Sequence, residues 1–114
     1  MTLGEKQRIF TRNVAFLIEW AYKEGYELTF AEAYRTQEQA ALNAKSGKGI
    51  SNSLHMDRLA IDLNLFKDGK YMTNSADHKP LGEFWKSLHP DNRWGGDFSK
   101  PDGNHYSMTY MGRS

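Results

Sequence analysis

The segment Leu59-Ala60-Ile61-Asp62-Leu63-Asn64-Leu65 constrains this chain more than any other. Leu59, Ile61, Leu63 and Leu65 recur at every second residue, so a β-strand turns all four to one face and leaves Ala60, Asp62 and Asn64 on the other. Asp62 therefore points away from the apolar side. The strand runs into Phe66-Lys67-Asp68-Gly69-Lys70-Tyr71, where Asp-Gly between apolar flanks predicts a tight hairpin and an antiparallel return through Tyr71 and Met72.

Helical spacing surrounds this hairpin. From Leu3 to Lys23, Ile9, Phe10, Asn13, Phe16, Leu17 and Trp20 fall three and four residues apart among charged neighbours, an amphipathic helix with Gly25 as its stop. Its aromatic stripe reads as core packing. Tyr26 to Tyr34 alternates and predicts a strand that delivers Arg35 to its end. Thr36 then opens a short helix through Ala44, and Ser46 to Asn52 is a glycine-rich loop without the Gly-Lys-Ser/Thr ending of a phosphate-binding loop. Ser75 to Leu88 predicts a further helix with Pro80 in its first turn and Leu81, Phe84, Trp85 and Leu88 on one side. After a turn-rich stretch from Pro90, Tyr106, Met108 and Tyr110 alternate as a last short strand.

At 114 residues the chain suffices for one modest core, so residues 1–114 are expected to form a single domain. Fifteen basic and fourteen acidic residues, with no basic run, give no electrostatic footprint for nucleic acid. No stretch is apolar and long enough for a membrane span, and the N-terminus lacks the apolar core of a secretory signal, so accumulation in the cytoplasm is expected. With no cysteine, a metal would have to be held by His, Asp or Glu.

Two imidazoles and one carboxylate are a usual protein share of a catalytic zinc, and His55, Asp62 and His105 supply such a set. An antiparallel sheet could unite them, since His55 enters the strand of Asp62 and His105 begins the last strand. Taken singly, each also reads as an ordinary surface or hydrogen-bonded residue. Asp102, three residues before His105 in a Pro-Asp-Gly turn, reads either as a proton acceptor or as an ordinary turn carboxylate. Arg35 could polarise a scissile carbonyl or simply pair with Glu32 or Glu38, and Ser53 could touch substrate or shape its loop. His78 and His89 lie at helix ends or turns, where capping or exposure is the usual role. Asp57, Asp68, Asp91 and Asp97 read as turn or surface carboxylates, Asp97 less clearly because it follows Trp94-Gly95-Gly96.

In order and spacing, Tyr34-Arg35-Thr36 with Gln39, Ser53-x-His55-x6-Asp62, Trp94-Gly95-Gly96-Asp97-Phe98 and Asp102-x-x-His105 resemble peptidase family M15. These are the zinc D-Ala-D-Ala carboxypeptidases and dipeptidases and the phage L-alanyl-D-glutamate endopeptidases. The resemblance implies an α+β fold of the hedgehog and D,D-peptidase type, a small antiparallel sheet flanked by helices. It implies Zn2+ on His55, Asp62 and His105, Asp102 as catalytic base, Arg35 at the oxyanion or substrate, and Ser53, Gln39 and Trp94 as substrate contacts. The family often has Gly where this chain has Arg58, and His-Phe-Glu where it has His105-Tyr106-Ser107.

A compact catalytic domain resembles the phage endolysin branch, which cuts between L-Ala and D-Glu in the peptidoglycan stem peptide. The absence of a wall-binding domain suggests, by analogy, a Gram-negative target. The corresponding expectation is a monomer held in the host cytoplasm until a holin releases it to the wall. The alternatives are a D-Ala-D-Ala carboxypeptidase and a non-catalytic zinc domain that only binds wall peptides; no cysteine is present to close a structural zinc site.

Overall fold

The computed structural model describes residues 1–34, 36, 38 and 54–113. The glycine-rich loop and, apart from Thr36 and Glu38, the short helix expected after Arg35 lie outside the described residues.

Helix α1 (Leu3–Lys23) begins where Thr2 forms a capping box: its hydroxyl accepts the Glu5 N–H at 3.1 Å and its own N–H donates to the Glu5 carboxylate at 3.0 Å. Gly25, with φ +87°, lets the chain leave the helix in the left-handed region. The inward stripe is Phe10, Asn13, Val14, Leu17 and Ala21. Phe16, expected on that stripe, is exposed instead, because the true stripe also recruits the smaller Val14 and Ala21.

Strands β1 (Tyr26–Glu32), β2 (Ala60–Lys67), β3 (Lys70–Met72), β4 (Asn92–Trp94) and β5 (His105–Met108) form one open antiparallel sheet in the order β1-β2-β5-β4, with β3 also paired to β2. The hairpin lies where Asp-Gly predicts it, with Asp68 at φ 52° and Gly69 at φ 77°. One edge of β2 is shared between two partners. Leu65 to Lys67 pair with β3 and Ala60 to Asp62 pair with β5, so the sheet is split beside Leu63 and Asn64.

A 3₁₀ turn (Ser75–His78) precedes α2 (Lys79–Leu88), with Pro80 in the first helical turn where its missing N–H costs nothing. The expected single helix from Ser75 is thus two segments. Strand β4 lies in the stretch read from sequence as turns, and it is too short to show an alternating pattern.

The two helices and the sheet enclose one apolar cluster that includes Leu17, Leu63, Leu65, Leu81, Trp85, Tyr106 and Met108, all without solvent exposure. Each such leucine contributes about 1.5–3 kcal/mol relative to an exposed one. Trp85 is central. Its indole N–H is shared by the Arg93 carbonyl at 2.9 Å and the Ser107 carbonyl at 3.0 Å, tying α2 to β4 and β5.

His78 corrects the expectation of capping or exposure: it is 3% exposed, with Nδ1 2.7 Å from the Tyr106 hydroxyl. Burial holds its pKa down to about 4, so the ring is neutral at neutral pH. This also gives Tyr106 a reason to carry a hydroxyl where the family often has phenylalanine. An unfolded histidine protonates near 6.5, so the unfolded chain binds the extra proton between about pH 6.5 and 4. Stability from this group is complete above that window and falls as pH is lowered through it. Urea unfolding across this range should show His78→Phe losing part of the wild-type slope; an unchanged slope would assign the pH dependence to other groups.

Candidate metal centre and active site

The register of β2 against β5 sets Asp62 directly opposite His105. Neighbouring side chains in such a pair stand about 4.5–5.5 Å apart at Cβ, which brings a carboxylate and an imidazole within reach of one ion. His55 arrives from the turn before β2. There the Leu59 N–H donates to the Leu54 carbonyl at 3.0 Å and the Arg58 N–H to the His55 carbonyl at 3.4 Å, a helix-terminating pattern whose penultimate residue takes left-handed backbone. That residue is Arg58, at φ 57°. The position where the family often has glycine is therefore a left-handed one. Arg58 holds its guanidinium 4.1 Å from the centre of the Tyr34 ring, a cation–π contact that offsets part of the backbone cost. The turn is further pinned by Gln7, which donates to the Asp57 carbonyl at 2.7 Å, and by an ion pair between Asp57 and Arg113.

These elements bring His55, Asp62 and His105 together, with one donor atom from each within 4.8 Å of the others. His55 Nε2 lies 3.4 Å and His105 Nδ1 3.3 Å from the same oxygen of Asp62. Tetrahedral bonds of about 2.0–2.1 Å place neighbouring donors about 3.3–3.4 Å apart, which the spacing of each imidazole from the Asp62 oxygen matches. Both histidines are buried and Asp62 is half-buried. Burial opposes ionisation of Asp62, but hydrogen bonds with His105 and His55 outweigh it and bring the pKa down to about 2. The carboxylate is thus charged and ready to ligate.

Asp102 stands beside this group. Its carboxyl pKa is raised, first by partial burial and then by the negative charge of Asp62, the balance expected of a group that exchanges a proton. The turn that carries it is fixed from several sides. The Asp102 N–H donates to the Gly95 carbonyl at 2.9 Å, the His105 N–H to the Asp102 carbonyl at 3.0 Å, and the Leu63 N–H to the Asn104 carbonyl at 2.9 Å. Ser75 Oγ accepts the Gly103 N–H at 2.9 Å.

Trp94 has a different place from the substrate contact expected of it. It is 5% exposed, and its indole N–H donates to the Gly103 carbonyl at 2.7 Å. It supports the turn from beneath. Gly82 and Gly96 both abut the indole, so near that a side chain on either would overlap it. Asp97, left open by the sequence, pairs with Lys86 at 2.7 Å on the surface. Arg35, Gln39 and Ser53 lie outside the described residues.

Sequence reasoning missed Ser75 and the support given by Gly95. The Gly95-Gly96 doublet after a tryptophan was the available signal, since paired glycines in a turn-rich stretch often mark close backbone approach.

The sequence model of the D-alanyl-D-alanine carboxypeptidase family, within the M15 peptidases, matches residues 46–108, a span that includes His55, Asp62, Asp102 and His105. The chain belongs to this family. Among solved structures, the L-Ala D-Glu endopeptidase ChiX of Serratia marcescens is similar with a TM-score of 0.74 at 16% identity, covering 93% of this chain and 85% of that one. The vancomycin-resistance D,D-pentapeptidase VanY, solved as a variant in complex with Zn(II), has a TM-score of 0.58 at 18% identity, covering 90% of this chain and 71% of its own. Both likenesses establish the shared M15 fold. A comparison with curated protein sequences gives no match.

The packing around Gly95 makes a specific test. A Cβ at this position would lie 2.1 Å from the Asp102 carbonyl oxygen and 2.8 Å from His105 Cβ. Gly95→Ala should destabilise the protein by about 1–3 kcal/mol in urea unfolding, the range for overpacking a filled site. It should also weaken binding of a divalent ion in calorimetric titration, because the atoms displaced are those that hold His105 and Asp102.

Proposed function

We propose that the protein is a zinc-dependent peptidoglycan peptidase that cleaves the L-Ala–D-Glu bond of the stem peptide, acting as a phage endolysin. The observation that carries this reading is the convergence of His55, Asp62 and His105 around one Asp62 oxygen with Asp102 beside them. The VanY neighbour's complex with Zn(II) supports zinc as the ion, and so do the bonding preferences of two imidazoles and a carboxylate. The endolysin role would place the protein at the wall after release from the host cytoplasm by a holin.

In this reading His55, Asp62 and His105 would hold the ion, which when bound would supply Lewis acidity toward water and the scissile carbonyl. Asp102 accepts the proton of the attacking water and returns it to the departing amine of D-Glu. Arg35 is assigned to the developing oxyanion or to the substrate, with Ser53 and Gln39 as further substrate contacts.

The rival substrate is a terminal D-Ala-D-Ala, which the description of the matching family favours. The likeness to the L-Ala D-Glu endopeptidase ChiX, which has a higher TM-score and covers more of both chains than the likeness to VanY, supports the internal bond.

Mass spectrometry of peptidoglycan digested by the zinc-loaded protein, with a chelated control, tests the proposal. New N-terminal D-Glu, with L-Ala left on muramic acid, is expected; release of D-Ala alone would establish the carboxypeptidase, and no zinc-dependent product would leave only binding. Two variants separate the roles. Asp102→Ala should retain zinc and lose at least about a hundredfold in turnover, as removal of a general base does, whereas His105→Ala should lose zinc and turnover together. Wild-type cleavage by the Asp102 variant would remove that residue from the mechanism.

A further inference from the structure

The split in the sheet beside β2 opens a pocket of about 230 Å3. Strand β3 pairs with Leu65 to Lys67 and β5 with Ala60 to Asp62, and the gap between them is walled by Asn64, Tyr71, Thr73, Ser75, Asp102 and Asn104. The pocket shares Asp102 with the candidate active site. It is smaller than the roughly 300–1,000 Å3 of sites that enclose drug-sized ligands, so it suits one ring or a few polar groups.

Its chemistry is distinctive. Amides and hydroxyls dominate the wall, the imidazole at its base is the neutral His78, and Asp102 is the one charged group among the described lining residues. A carboxylate-bearing part of the stem peptide would meet Asp102 there with no cation to compensate. Tyr71, at 55% exposure, offers a large aromatic surface at the rim. An exposed aromatic ring beside several neutral donors and acceptors matches a sugar, whose C–H face lies on the ring while hydroxyl and acetamido groups meet the amides.

Distance supports the same occupant. Asn64 lies two residues beyond Asp62 on the same strand face, about 7 Å along β2. In a substrate cut after L-Ala, that residue and the lactyl group separate the scissile carbonyl from the sugar, about the same extended length.

We infer that this gap between β3 and β5 is a subsite for the N-acetylated, lactyl-bearing amino sugar that carries the stem peptide, with Tyr71, whose hydroxyl donates to Asn64 Oδ1 at 3.4 Å, as its stacking platform and Ser75 and Asn104 as neutral hydrogen-bonding partners. The inference rests on the L-Ala–D-Glu reading above, because a bond further along the peptide would leave the sugar out of reach. It makes the enzyme selective for stem peptide still attached to glycan.

Two measurements test it separately from that reading. In the first, kcat/KM is compared for N-acetylmuramoyl tetrapeptide and for the same tetrapeptide bearing a plain N-acetyl group. The sugar-bearing substrate should be favoured by about tenfold, the scale of one stacked aromatic contact. Tyr71→Ala should bring the ratio of the two values close to one, whereas Tyr71→Phe should preserve it. Equal values for the two substrates in the wild type, or an unchanged ratio in Tyr71→Ala, would overturn the subsite.

The second measurement needs no turnover. N-Acetylmuramoyl-L-alaninamide, which carries no free carboxylate, is titrated into zinc-free protein, and the amide resonances of Asn64, Tyr71 and Asn104 are followed by NMR. Shifts confined to these residues support the subsite even if neither peptide is cleaved, in which case the L-Ala–D-Glu reading alone fails. An absence of shifts overturns the subsite.

Discussion

The pairing of β2 with β5 is the constraint on which the rest of the molecule depends. Its register sets Ala60 against Ser107, Ile61 against Tyr106 and Asp62 against His105. Because side chains alternate across a strand, one short ladder does two jobs: Ile61 and Tyr106 enter the apolar core while Asp62 and His105 meet on the other face. A slip of one residue would exchange the faces, setting the charged pair in the core and the apolar residues at the site. The buried leucines of β2 oppose that slip, so the same side chains that stabilise the fold also maintain the geometry of the candidate metal centre.

Around this ladder His55 and Asp102 are held by contacts of loops rather than by regular structure. His55 sits in a turn closed by left-handed Arg58 and tied to α1 and the C-terminal segment through Gln7 and Arg113. Asp102 sits in a turn gripped by Gly95, Ser75, Trp94 and Leu63. Polar groups so placed need support, because each would otherwise move to reach water or a partner of its own. The strands bring Asp62 and His105 together, and the pinned turns bring His55 and Asp102 beside them.

Much of this was legible in the chain. Period-two leucines placed β2, Asp68-Gly69 placed the hairpin, and helical spacing with Thr2 and Gly25 bounded α1. His55, Asp62 and His105 could be grouped because ligand chemistry and the spacing shared with a known family pointed the same way, and the structure brings them together. What escaped detection depends on contacts distant in sequence. The burial of His78 follows from Tyr106, twenty-eight residues away, and nothing local distinguishes it from a capping histidine. Trp94, expected as a substrate contact, is instead seen to be enclosed by Gly103, Gly82 and Gly96. Strand β4 is three residues long, too short for periodicity to register.

The most direct test of the account is zinc K-edge X-ray absorption on protein loaded with one equivalent of zinc and washed of excess ion. The expected result is stoichiometric retention and a shell of about four N and O ligands at roughly 2.0–2.1 Å, with the multiple scattering of two imidazoles. Zinc that washes away, or a six-oxygen shell without imidazole scattering, would contradict the claim that the β2–β5 ladder and the His55 turn build a catalytic metal centre.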